Sequence, residues 1–240
     1  MRAWKDYKIS ECHEPLVSIP CNIRCIDPHP YLSLGAPYGK GLGPWRLRCE
    51  VVKRLIQAEK YLQKEHPQLI FLLFDAWRPI PVQAFMVQHT ITQQCILRGI
   101  NPDEESNDLI KENIAEEVGK FWAPPSFNPS TPPPHSTGAA VDLTLAMLNS
   151  HPLDMGGEID EIGERSTPDY FSNHVDSQSA EFRFNSRRLI LTNAMKKAGF
   201  VQHPNEWWHF SFGDQMWAWG SNEKQAIYGA CSSDSNFLIE

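Results

Sequence analysis

His135, Asp142 and His209 are the residue types of a two-histidine, one-carboxylate metal set. A catalytic zinc takes three protein ligands and keeps a fourth position open for water. That water must lose a proton as it attacks, so a base belongs close by. Glu206, three residues before His209, is the natural candidate. Gly138 and the Ala139-Ala140 pair let the backbone turn closely after a ligand on a loop, and Asp142 then points inward from the following strand. Spacing alone leaves a plainer reading open, with His135 on a surface loop and Asp142 an ordinary turn or ladder carboxylate. Glu206 and His209 would share a face on a helix and point to opposite faces on a strand. Trp207, Trp208 and Phe210 favour the strand, which puts Glu206 in a bend set by Pro204-Asn205. The same stretch also reads as an aromatic core strand with a solvent carboxylate at its edge. Arg78 follows a buried apolar run and precedes Pro79. Its guanidinium has the chemistry to stabilise an oxyanion, or it simply pairs with Asp75 three residues back. Cys21, Cys25 and His29, with Cys12-His13 upstream, form a rival metal set. Structural zinc sites instead separate two ligand pairs by a longer gap. His203 reads as a strand-edge residue.

Several elements must position these groups. Val51, Val52, Leu55, Ile56 and Leu62 recur at helical spacing over residues 48–66, and Pro67 closes the segment. Leu69–Phe74 is a short apolar run that predicts a buried strand, ending in Asp75-Ala76-Trp77-Arg78-Pro79. A second helix is predicted over 81–98, stopped by Gly99. Asn101-Pro102 then looks like an N-cap with Pro at the first helical position, and Leu109, Ile110, Ile114 and Val118 continue a third helix. Residues 123–134 hold six prolines and predict an extended loop. The stretch after His135 alternates like a strand, residues 151–180 read as a surface loop over the site, and residues 182–198 predict a helix with Leu189, Ile190 and Met195 inward. Residues 206–212 predict an aromatic strand. Residues 1–47 look irregular. Helices cluster between few strands without βαβ alternation, which favours an α+β class.

The 240 residues suit one large domain. Hydrophobic residues at 41% with eight Trp exclude a disordered chain. No apolar run approaches the roughly 20 residues of a membrane helix. Lys and Arg number 22 against 29 Asp and Glu, a net charge of -7 without a basic stripe, which argues against nucleic-acid or anionic-membrane partners. The N-terminus shows no apolar signal region, and six cysteines without a disulfide spacing predict reduced thiols in the cytoplasm.

Three motifs in order, Asp75-x-x-Arg78-Pro79, His135-x-x-Gly138-x-Ala140-x-Asp142 and Glu206-x-x-His209, resemble the zinc D-alanyl-D-alanine dipeptidases of the vancomycin-resistance type. That family lies within a larger group with D-Ala-D-Ala carboxypeptidases, lysostaphin-like endopeptidases and the hedgehog signalling domain. Met155-Gly156, Asp160 and Glu164-Arg165-Ser166 resemble the loop that separates the dipeptidases from the carboxypeptidases. The resemblance runs from about residue 30 to 212. It implies a small antiparallel sheet flanked by helices, in a single domain over 1–240 with an irregular segment at 1–30 and an extension at 213–240. It implies one Zn2+ per chain on His135, Asp142 and His209. Glu206 is then the general base and the proton donor to the leaving amine, Arg78 stabilises the oxyanion, and Asp160 binds the substrate ammonium with help from Tyr31. The substrate would be the D-Ala-D-Ala dipeptide, hydrolysed to two D-Ala in cell-wall metabolism. The alternatives are a D,D-carboxypeptidase on longer peptidoglycan peptides and a non-catalytic zinc module. The family's serines before the first ligand are Pro133 and Pro134 here.

Overall fold

A computed structural model describes residues 3–40, 43–104, 107–149 and 151–231. In chain order the elements are β1 (Leu16–Ser18), β2 (Arg24–Cys25), α1 (Pro30–Ser33), β3 (Arg46–Arg48), α2 (Cys49–Glu65), β4 (Leu69–Asp75), α3 (Ile80–Leu97), α4 (Asp108–Val118), β5 (Ala140–Met147), α5 (Ala180–Lys197), β6 (Val201–Gln202), β7 (His209–Ser211) and α6 (Gln215–Gly220). This is an α+β fold. Five strands form one sheet in the order β2-β4-β5-β7-β6, and β1 pairs with β3 apart from it. The expected antiparallel sheet is corrected at one edge, where β2 runs parallel to β4. The chain between them passes through α2, and a crossover of that length returns a strand in the same direction.

β4 and β5 are buried along most of their length, because helices cover both faces of the sheet. On one face Val51, Leu55 and Leu62 of α2 and Leu191 and Met195 of α5 pack with Phe71, Leu73, Val141 and Leu143. On the other, Val82 and Met86 of α3 and Ile114 and Val118 of α4 enclose Tyr31, Tyr38 and Trp122, with Phe74 packed against them. Glu59 of α2 is buried beside this layer, and its carboxyl group accepts from the Phe71 amide at 3.2 Å. No helix among the described residues is long and apolar enough to cross a membrane.

Several sequence expectations shift. The third helix starts at Asp108, not at Asn101-Pro102. The Asn101 side chain instead accepts from the Asp103 amide at 3.1 Å, a local turn that competes with capping. Leu109 and Ile110 are exposed, leaving Ile114 and Val118 as the inward face. Leu189 is 51% exposed, and Leu191 takes the buried position beside Met195. The aromatic strand is shorter than expected, His209–Ser211, preceded by bends. The segment read as irregular carries β1, β2, α1 and β3. Of the extension expected over 213–240, α6 occupies Gln215–Gly220 and residues 232–240 lie outside the described ones.

Candidate active site and metal centre

Sheet register places two of the candidate residues. Along β4 and β5, Leu73 faces Leu143, yet Asp75 faces Asp142. The additional residue, Phe74, makes a bulge, which re-aims the strand end. Across the next pair Asp142 stands directly opposite His209, and such neighbours hold their side chains in contact range. His135 arrives from a 3-10 turn, Pro134–Thr137, ended by Gly138 at φ 72°. A Cβ there would lie 2.2 Å from the Leu16 side chain, so the left-handed turn and the close packing both require glycine. The Arg78 amide donates to the His135 carbonyl at 3.2 Å, and Ser136 Oγ donates to the Arg78 carbonyl at 2.8 Å. Arg48 ties the same turn to both ends of the described chain. Its Nε donates to the Thr137 carbonyl at 2.8 Å, and its Nη2 donates to the Gly229 carbonyl and to Glu11, each at 3.0 Å. Its Nη1 donates to the Glu14 carbonyl.

The three side chains converge. His135 Nε2 is 3.1 Å from Asp142 Oδ2, His209 Nδ1 is 3.0 Å from Asp142 Oδ1, and the two ring nitrogens are 3.2 Å apart. Bonds of about 2.0–2.1 Å at tetrahedral angles would set donor atoms about 3.3 Å apart, so this spacing fits a zinc ion. Tautomers fit as well. His135 Nδ1 lies 2.7 Å from the Ala76 carbonyl, which demands an N–H there and leaves the Nε2 lone pair facing the centre. His209 turns Nε2 toward Ser211 Oγ at 3.4 Å. Burial by itself would raise the Asp142 carboxyl, but His135 and then His209 outweigh it and hold it well below the usual range. Among the described residues this is the one group of three or more His, Cys, Asp or Glu close enough to hold a metal ion. Glu206 stands beside it, Oε2 at 3.7 Å from His209 Nδ1, in the bend before β7.

A second network runs from this centre. Arg78 donates from Nε and Nη2 to Asp75 Oδ2 at 2.9 and 2.7 Å, from Nη1 to Gln83 at 2.9 Å, and from Nη2 to the Tyr31 hydroxyl at 3.2 Å. The pairing with Asp75 is therefore present, and Nη2 also lies 3.5 Å from Asp142 Oδ2. Tyr31 in turn donates to Asp160 Oδ2 at 2.7 Å. Burial would raise Asp75, but Arg78 and then His29 outweigh it and hold the carboxyl low. Asp160 differs. Burial, and then the charge of Asp142, push its carboxyl up to about 7. A cation placed against it would restore the carboxylate. Its backbone is left-handed at φ 66°, an uncommon state for a residue with a Cβ that recurs at functional sites.

The family model described as D-ala-D-ala dipeptidase matches residues 29–227, a range that includes Tyr31, Arg78, His135, Asp142, Asp160, Glu206 and His209. The chain belongs to this dipeptidase family. The D-alanyl-D-alanine dipeptidase of Synechocystis sp. (strain ATCC 27184 / PCC 6803 / Kazusa) is 46% identical over 221 residues, 90% of this chain and 89% of that protein. The D-alanyl-D-alanine dipeptidase of Enterococcus faecium is 30% identical over 167 residues, 69% of this chain and 72% of that protein. Among solved structures, a mutant of the vancomycin resistance D,D-pentapeptidase VanY in complex with Zn(II) aligns with a TM-score of 0.45 and 13% identity, over 74% of this chain and 80% of that one.

For a dipeptidase of this family, the sequence reading overlooked part of the pocket. Trp4, Gln83, Trp122 and His203 line it together with Arg78, His135, Asp142, Asp160, Glu206 and His209. His203 does stand at the edge of β6, its amide donating to the His209 carbonyl at 2.9 Å, and its ring lies 5.5 Å from that of His209. The rival set is not assembled. Cys21 is exposed and the Cys25 thiol faces the Ile23 carbonyl at 3.9 Å. His29 is buried, accepting at Nδ1 from the Tyr31 and Leu32 amides and therefore donating from Nε2 to Asp75 at 3.1 Å. It caps α1 and so orients Tyr31.

Proposed function

We propose that this chain hydrolyses D-Ala-D-Ala to two D-Ala, with one zinc ion per chain held by His135, Asp142 and His209. The observation that carries the reading is a buried cation-shaped centre with a carboxylate base on one side and a guanidinium on the other, in a chain of the dipeptidase family. Zinc, when bound, polarises the scissile carbonyl and acidifies the attacking water. Glu206 takes the water proton as the C–O bond forms, then returns it to the leaving amine as the C–N bond breaks. Arg78 spends its contacts on Asp75, Gln83 and Tyr31, which leaves one of the five guanidinium hydrogens, on Nη1, for the developing oxyanion. Asp75 and Gln83 hold that fork in place. Asp160, oriented by Tyr31, receives the substrate ammonium. Pro134 lines the pocket in place of a family serine, so any contact that serine would make is lost or made by backbone groups. We place the reaction in the cytoplasm and in cell-wall peptide metabolism.

The decisive experiment follows D-Ala release by mass spectrometry from free and N-acetylated D-Ala-D-Ala. Acetylation removes the cation and leaves Asp160 facing an amide. Breaking a fully buried pair costs about 3–5 kcal/mol; Asp160 keeps some solvent access, so the lower end applies. The free dipeptide is expected to react about 10²-fold faster by kcat/KM. Equal rates on both substrates would favour a carboxypeptidase. Arg78→Lys tests the guanidinium separately: it keeps the charge but loses the planar fork. We expect kcat to fall about 10²-fold with KM changed much less; unchanged kinetics would leave Arg78 only its ion pair with Asp75.

A further inference from the structure

We propose that Trp4 sets the limit of the substrate at its carboxyl end. The inference rests on the dipeptidase reading above, which gives the ammonium to Asp160 and the leaving amine to Glu206. Asp160 and Trp4 both line the pocket, and they are held by different groups, Asp160 by Tyr31 and through it Arg78, Trp4 by His203. The Trp4 indole packs edge-on against His203, ring centroids 5.3 Å apart at 83°, and His203 Nδ1 lies 3.7 Å from Glu206 Oε1. The group that protonates the leaving amine stands on the leaving residue's side of the scissile bond. The Trp4 side therefore faces the carboxyl-terminal D-Ala.

Beyond this wall lies a second cavity of about 1030 Å³. Trp4, Ala123, Pro134 and His203 line both spaces, so these four residues form the partition. Trp4 supplies its largest side chain, and it is only 7% exposed although it belongs to a strap on the surface. The strap is fixed. Gln215 Nε2 shares its two hydrogens among the Lys5, Tyr7 and Ser130 carbonyls, the Ser10 amide donates to the Ala226 carbonyl at 2.9 Å, and the Ala226 amide donates to the Lys8 carbonyl at 2.8 Å. Trp219 supports the indole from behind at 5.4 Å. A residue attached to the carboxyl group of the dipeptide would need the space the indole fills. Removing the indole joins the catalytic pocket to the larger cavity.

The test compares kcat/KM of the zinc-loaded full chain on D-Ala-D-Ala and on D-Ala-D-Ala-D-Ala, from initial rates of substrate loss. Both substrates keep a free ammonium, so the contact with Asp160 is common to them. The wild-type protein is expected to favour the dipeptide. Trp4→Ala should raise the tripeptide-to-dipeptide ratio about tenfold or more, in the range by which pocket shape discriminates, and Trp4→Phe should raise it less. A merely structural role for Trp4 would lower both rates together. A ratio within twofold of wild type in Trp4→Ala, or in Trp4→Phe should the alanine variant fail to fold, overturns the proposal. Wild-type protein that cleaves the first bond of the tripeptide, followed with an isotope label on the first residue, as fast as it cleaves the dipeptide overturns it too, while leaving the dipeptidase reading intact; cleavage of the second bond would instead favour the carboxypeptidase. Wild-type protein inert on D-Ala-D-Ala overturns that reading and this proposal with it.

Discussion

His135→Ala and His209→Ala are each expected to lose zinc and turnover together. The proposed centre offers one atom from each of three residues, and a catalytic site with two protein ligands no longer holds the ion against competing chelators. Each histidine is also committed geometrically, His135 through the Ala76 carbonyl and His209 through its place opposite Asp142. Zinc per chain, measured by metal analysis after dialysis, should drop from about one to near zero in both variants. His203→Ala is the control. Its ring is close to His209, but it lies outside the converging group, and its zinc content should stay at the wild-type level. Full zinc occupancy in both ligand variants would remove the assignment, whatever the activity did.

Glu206→Gln separates chemistry from metal binding. The carboxylate sits 3.7 Å from His209 Nδ1, beyond the distances that join the three converging groups, so the amide variant should retain zinc. It is isosteric but cannot accept the water proton. General acid–base assistance is worth roughly 10²–10⁴-fold, and kcat should fall by that factor with zinc content and fold unchanged. A near-normal kcat would mean that another group, His203 being the nearest candidate, moves the proton.

Much of this site was legible because it depends on short-range pattern. The helical spacing of Val51, Leu55 and Leu62, the apolar run at Leu69–Phe74 and the Pro204-Asn205 bend before His209 are local signals, and each appears close to where the sequence puts it. Gly138 was readable as a turn for the same reason. What could not be read was register. Whether Asp142 faces His209 or slips one place is decided by pairing between strands far apart in sequence, and a slip of one residue turns the side chain to the other face. The bulge at Phe74, which brings Asp75 level with Asp142, has no marker in the sequence. Trp4 and His203 escaped for a related reason. Their roles come from a strap and a turn meeting over the pocket, and neither carries a spacing that announces it. At α4 two local signals competed, and the Asx turn at Asn101 prevailed over the cap.

Arg48 has a consequence for how the molecule opens. One buried guanidinium bonds the metal-side turn at Thr137, the Glu11 and Glu14 region near one terminus, and Gly229 near the other. Chain ends ordinarily fray at little free-energy cost and independently of the interior. Here an opening that withdraws either segment removes part of the hydrogen bonding of a buried cation, at a cost of about 1–3 kcal/mol. The Glu11–Glu14 segment, the chain at Gly229 and the His135 turn therefore share one anchor. Fluctuations that loosen the Glu11–Glu14 segment or the chain around Gly229 are thereby coupled to the His135 turn some hundred residues away in sequence.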